Sequence, residues 1–221
     1  LSRTVPKPSR ASRRAEAHER EREEMLDAAL ASFADRGFEA TSVHDVAAAA
    51  RVSVGHIYNL IGNKRTLYEA VIDREGKEMM RAVDATLDGL SSRPAVERLD
   101  ALIDTALAFV DEHRGFFRLY LNETGGAHVR IEARFPKKSL RYKRSLDRKT
   151  RDLFAEGIRQ GDLARLDPED LMIAFQDLVN GFIARWVASG FRGDVRKRAP
   201  VIRRILWHGI AADTATRRSK S

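Results

Sequence analysis

The sequence predicts an all-α protein, and three observations carry that prediction. Apolar residues recur at helical i, i+3, i+4 spacing along most of the chain, and no segment alternates apolar and polar residues as a half-buried strand does. Ser, Asn, Asp, Gly and Pro stand where those apolar runs begin and end. The 221 residues suffice to bury a core unaided, and a content of 43% apolar and 33% charged residues excludes collagen-like and wholly disordered chains. No internal repeat is visible.

The elements follow in order. Residues 1–14 hold two prolines and five cations and read as a flexible basic arm. A first helix over 15–36 sets Leu26, Leu30 and Phe33 on one face and stops at Gly37. Ser42 and Asp45 form a capping-box variant for a short helix with Val43, Val46, Ala47 and Ala50 inward. Ser53 caps another, with Ile57 and Ile61 inward and Gly62 as its stop. Two short helices about three residues apart, with small alanines at their crossing, meet the requirements of a helix-turn-helix unit over about 42–61.

Asn63 caps a long helix towards Leu90 that bridges two domains. Pro94 opens a helix reaching Val110, a short aromatic helix spans 115–121, and Gly125-Gly126 breaks the chain. Pro136 opens a helix that Gly157 and Gly161 end, Asp167-Pro168 starts one through Val187, and 195–210 makes the last. A flexible basic tail, 213–221, follows. The domains are thus expected at 15–78 and 79–212.

Absences narrow the function classes. There is no cysteine, which removes disulfides, thiol catalysis and thiolate metal sites. The six histidines show no paired helical spacing for a metal, and neither a phosphate-binding Gly-rich loop nor Gly-x-Ser-x-Gly occurs. No enzyme activity, metal or cofactor is expected. The amino end lacks the apolar core of a signal peptide and no run nears about 18 uninterrupted apolar residues, so the expected location is the cytoplasm.

The net charge of +8 is unevenly spread: −5 over 68–127 and +7 over 128–166. Bulk basicity therefore says little about DNA, and the pattern of particular residues says more. On the second helix of the pair, Gly55, His56, Tyr58 and Asn59 face outward. Asn and His can hydrogen-bond base edges in a major groove, Gly55 lets the backbone approach, and Tyr58 can reach a phosphate. Lys64 and Arg65 sit in the first turn of the next helix, where cations oppose the macrodipole by roughly 0.3–1 kcal/mol each unless an anion docks there. Thr41 and Ser42 offer hydroxyls to a second phosphate.

The stretch GFEATSVHDVAAAARVSVGHIYNLIGNKRTLYEAV, with Gly-Phe, Thr-Ser before the capped helix, Ala-x-x-Val-Ser at the turn, then Tyr58, Lys64 and Leu67, resembles the TetR family of bacterial transcription regulators. That resemblance covers nearly all of 20–78. It implies a homodimer with an amino-terminal three-helix DNA-binding domain and a carboxyl-terminal helical domain for effector binding and dimerisation. It also implies phosphate contacts from Tyr58 and Lys64 and a base-reading face of Gly55, His56 and Asn59. Ser53 and Val54, at the start of the recognition helix, complete the expected DNA-binding set with Thr41 and Ser42. Arg51 departs from the family, which often has Gly at that turn.

The function expected is that of a sequence-specific regulator of double-stranded, palindromic DNA, a repressor released by a small-molecule effector. A transcriptional activator of the same fold and a ligand-independent architectural DNA binder are the alternatives. Phe109, Phe116, Phe117, Tyr120 and Phe175, with Gln176 and Asn180 as polar anchors, are candidates for the effector pocket. Leu171, Leu178, Phe182, Trp186, Ile202, Ile205 and Leu206 are candidates for the dimer interface, a four-helix surface. Lys137, Arg141, Arg144, Arg148 and Arg151 form a stripe on one helix face, a solvated surface or a seat for an anionic effector such as an acyl-coenzyme A.

Overall fold

A computed structural model describes residues 9–125 and 135–209. The basic tail, Ile210 and most of the predicted arm lie outside the described residues, within which every regular element is helical.

Helix α1 (Arg10–Ala40) begins five residues before the apolar spacing predicts, because the Ser9 side chain accepts from Ser12 N at 3.1 Å and caps it. Residues 10–14 of the predicted arm are therefore helical. Gly37, at φ 80°, interrupts the helix with a kink before its last turn. Helices α2 (Val43–Ala50) and α3 (Val54–Leu60) follow, then α4 (Lys64–Gly89), capped by Asn63 and closed at Leu90. Next come α5 (Ala95–Glu112) and α6 (Arg114–Thr124). A 3-10 turn (Lys137–Ser139) leads into α7 (Leu140–Gln160), and α8 (Pro168–Ala188) starts from the Asp167 cap. After a second 3-10 turn (Val195–Arg198), α9 (Ala199–His208) ends the described chain. Gly157 does not end α7; a Cβ there would stand 2.7 Å from Leu163 Cδ1, so this glycine serves packing.

Two apolar cores form. Met25, Leu26 and Phe33 of α1 close over Val46, Ile57, Leu67 and Val71, joined by Phe116 and Leu119 of α6. The second core gathers α4 from Met80 onwards with α5, α7, α8 and α9, around Ile103, Leu107, Phe154, Phe175, Ile183 and Ile202. Phe117 packs against both. Helix α8 has the length and mean hydropathy, 1.2, to cross a membrane, yet Phe175, Val179, Ile183 and Val187 are buried in this second core.

Candidate nucleic-acid interface and ligand cavity

The capping box expected at Ser42 forms: Ser42 Oγ accepts from Asp45 N at 3.2 Å, and Asp45 Oδ2 accepts from Ser42 N at 2.8 Å. Hydrogen bonds from the Ser42 hydroxyl and backbone, helped by Arg36, hold the Asp45 carboxyl down to about 2, so the cap remains ionised at neutral pH. Arg51 ends α2 in the left-handed region at φ 58°, keeping the turn that the family often builds with Gly. Its backbone N–H donates to Ala47 O and Ala48 O, which offsets part of the strain.

Ile57, fully buried, pins α3 to the first core, and that anchor turns the opposite face outward. Gly55 has nothing within 4 Å of the position a Cβ would take, Tyr58 is 52% exposed, and Ser53 and Asn59 are exposed. Val54 is half-buried against the core. His56 is also half-buried, with Nε2 2.7 Å from Glu21 Oε1 of α1, a partner that local spacing does not reveal.

The flanking residues divide. Lys64 Nζ donates to Glu39 O at 2.9 Å and lies 4.5 Å from the centre of the Phe38 ring, beside the recognition helix. Arg65 is exposed and pairs with Glu69 at 3.2 Å. Thr41 corrects the reading of its hydroxyl as a phosphate donor: the residue is 1% exposed, and Oγ1 donates to Gly37 O and Ser32 O at 2.8 and 3.1 Å. Its hydroxyl closes the bend after Gly37 instead.

All seven residues expected at the pocket line one cavity of about 190 Å³: five aromatics, Phe109, Phe116, Phe117, Tyr120 and Phe175, and two amides, Gln176 and Asn180. Phe117 meets Phe109 and Phe116 edge-on, at centroid distances of 6.1 and 5.3 Å. Burial pushes the Tyr120 phenol up to about 12, so it stays protonated. Helix α4 supplies a wall through Gly76, Met79 and Val83. A Cβ at Gly76 would stand 2.3 Å from the Tyr142 ring, so only glycine lets α7 approach α4 this closely.

Sequence reasoning missed Asp147 and Thr150, which also line the cavity from α7. The available signal was two polar residues, three apart, on the face that carries Leu146, Leu153 and Phe154. The cationic stripe drew attention to the other face. There Arg141, Arg144, Arg148 and Arg151 are exposed, with Arg141 bonded to Asp73 at 2.6 Å and Arg151 facing Asp152 and Glu169 at 3.5 and 3.7 Å; Lys137, also exposed, stands in the 3-10 turn before α7 and not on its face as expected.

The expected interface set is also corrected in part. Ile202 is fully buried and Trp186 is 6% exposed, its Nε1 donating to Gly193 O at 2.9 Å, so both belong to the core of a single chain. Leu171, Leu178, Phe182, Ile205 and Leu206 are half-buried at its edge, while Ile173 and Val201 are exposed. Helix α8 is apolar on two faces, and spacing alone does not say which turns inward.

Residues 25–71 match the family described as bacterial regulatory proteins, tetR family, and residues 92–193 match the tetracyclin repressor-like C-terminal domain. The chain belongs to the TetR family. This TetR-family protein is a DNA-binding transcriptional regulator. It is 27% identical over 200 residues, 86% of this chain and 91% of the relative, to the HTH-type transcriptional repressor KstR2 of Rhodococcus jostii. A TetR-like transcriptional regulator from Rhodococcus sp. RHA1 superposes with a TM-score of 0.68 at 27% identity, over 92% of this chain and 98% of that one. The fatty acid degradation regulator FadR from Bacillus halodurans superposes with a TM-score of 0.73 at 19% identity, over 86% and 96%, and shares the fold.

Proposed function

We propose that this TetR-family regulator is a homodimeric repressor that a small, largely apolar molecule releases from its operator. One observation supports the reading above all: α4 belongs to both halves. Its first turns bury Leu67, Tyr68, Val71 and Ile72 in the core that holds α3, and its later turns wall the cavity. A ligand that prefers one position of α4 thereby biases the spacing of the two recognition helices, and it can do so only by binding the two arrangements with different affinity.

In this reading 15–78 engages DNA and 79–212 binds the effector and the second copy. Tyr58 and Lys64 grip phosphates, Ser42 keeps its hydroxyl on Asp45 and acts by capping α2 beside them, Gly55, His56 and Asn59 face base edges, and Ser53 and Val54 enter the groove first. The two α3 helices sit in successive major grooves of an imperfect palindrome. Leu171, Leu178, Phe182, Ile205 and Leu206, extended by the exposed Val201, meet their counterparts across the dimer. Chromosomal DNA as the target puts the protein in the cytoplasm, and no catalytic step is involved.

Footprinting on promoter fragments of neighbouring genes tests this. Protection of a short palindrome, lost when a cavity ligand is added, supports it. Broad protection that ignores every ligand supports an architectural protein instead.

A further inference from the structure

Helix α1 starts well before there is a core for it to cover. Its first buried residue is Met25 and residues 13–20 are all exposed, so 10–24 project as about four turns of helix, roughly 22 Å long. That stretch lies ahead of the family match at 25–71, and none of its residues belongs to the first core.

Two contacts fix which way its faces turn. Glu21 Oε1 lies 2.7 Å from His56 Nε2 of α3, and Glu23 Oε2 accepts from Arg74 of α4 at 3.1 Å. Residues two apart stand about 200° apart around a helix, so one face looks to the recognition helix and the other to the body of the protein. Charge is sorted between them. The residues four, seven and eleven before Glu21 share its face, and they are Ala17, Arg14 and Arg10, with Arg13 at their flank. Glu16 and Glu19 lie with Glu23 on the opposite face. Arg10, Arg13 and Arg14 are exposed and form no ion pair among the described residues, whereas Arg22, nearer the core, pairs with Glu19 and Glu23 at 3.8 and 3.6 Å.

We propose that this face of α1, Arg10 and Arg14 with Arg13 beside them, is a second DNA contact that clamps the phosphates flanking each half-site. At a rise of 1.5 Å per residue, Arg14 stands about 10 Å and Arg10 about 16 Å along α1 from the His56 contact. A major groove is about 12 Å wide and the adjoining minor groove about 6 Å, so arginines at those distances meet the backbone outside the bases that α3 covers. Guanidiniums with no carboxylate on their face offer forked donors that match phosphate oxygens, and their surface continues the one that turns α3 outward. The proposal rests on the reading that α3 enters the groove, and it adds to that reading a grip that ignores sequence.

The test uses the full chain and a duplex of about 40 base pairs centred on the footprinted palindrome, or a mixed-sequence duplex should no palindrome be protected, since phosphate contacts do not depend on sequence. Arg10→Ala, Arg13→Ala and Arg14→Ala combined are expected to weaken binding about tenfold or more, and to make the slope of log affinity against log salt shallower by about 0.9 for each phosphate released. The same three positions changed to Lys should keep most of the parent's slope, because the charge remains. Ethylation interference should reveal phosphates outside the bases covered by α3 that matter to the parent and not to the Ala variant. A melting temperature at or above the parent's is expected, since all three sites are exposed and Ala favours helix. An Ala variant with the parent's slope and interference pattern, or a Lys variant as weak as the Ala variant, would overturn the proposal. Asn59→Ala keeps the two readings apart: an unchanged preference for the palindrome over mixed-sequence DNA sinks the base-reading role of α3 and leaves this grip standing, and failure of the parent to bind either duplex sinks both.

Discussion

Glu75 of α4 and His113, at the joint between α5 and α6, share a hydrogen bond of 2.7 Å. The Glu75 side chain is 4% exposed, and its other oxygen accepts from Arg74 at 3.0 Å. Arg74 in turn reaches Asp27 and Glu23 of α1 at 2.7 and 3.1 Å. On the other side the His113 ring stacks on Phe109, 3.9 Å between centroids, and Phe109 lines the cavity. Contacts therefore run without a gap from the cavity wall to the first helix of the DNA-binding half.

Replacing Glu75 tests that junction. Burial works to raise its carboxyl, but the hydrogen bond from His113 and the charge of Arg74 outweigh burial and hold it below the ordinary glutamate range. A lowered carboxyl stabilises the fold above its unfolded pKa, about 4.3, and that contribution fades as pH falls through the lower folded value. Glu75→Gln is expected to lose about 1–3 kcal/mol at pH 7 in urea denaturation, and the gap from the parent should shrink below about pH 4. A gap that is constant with pH counts against the ionised role.

Lys64→Ala probes the phosphate grip proposed beside α3. Each phosphate neutralised contributes about 0.9 to the slope of log affinity against log salt, so the variant should bind with a slope shallower by about one. Mobility shifts across a salt series measure it. An unchanged slope would confine Lys64 to its structural contacts with Glu39 and Phe38.

The base-reading role proposed for His56 faces a competition, since its ring is held by Glu21 at 2.7 Å. Glu21→Gln removes a charge near the DNA and weakens that hold. Operator affinity is expected to rise several-fold, about 0.5–1 kcal/mol, and in a double-mutant cycle His56→Ala should remove the part of the gain that comes from the freed ring and leave only the part that comes from the lost charge.

The two apolar faces of α8 and α9 should separate by variant. Ile202→Ala leaves a cavity in a single chain's core and is expected to cost about 2–5 kcal/mol of stability. Val201→Glu, at a residue 41% exposed, should leave the fold intact and shift the proposed dimer towards monomer in analytical ultracentrifugation. A stable, fully dimeric Val201→Glu would place the interface elsewhere.

Arg51 carries a left-handed backbone, at φ 58°, in the turn of the helix pair. Arg51→Gly relieves about 1–2 kcal/mol of strain against roughly 0.5–1 kcal/mol of added chain entropy in the unfolded state, so a net gain of about 0.5–1 kcal/mol is expected by thermal melting.

What the residues declare on their own is local. Capping at Ser42, Ser53, Asn63 and Asp167, the buried face of each helix and the pairing of α2 with α3 follow from spacing within a turn or two, which backbone hydrogen bonds and side-chain periodicity dictate. The aromatic set of the cavity was legible for the same reason, since its five rings are apolar residues on helices that had to bury a face. Where two helices compete to cover the same residue, spacing is silent. Trp186 and Ile202 turned inward, Thr41 spent its hydroxyl on α1, His56 found Glu21, and Asp147 and Thr150 came to line the cavity together with Gln176. Each of those outcomes depends on which segments, tens of residues apart, pack together, and that choice is made by the whole core at once rather than by any one helix.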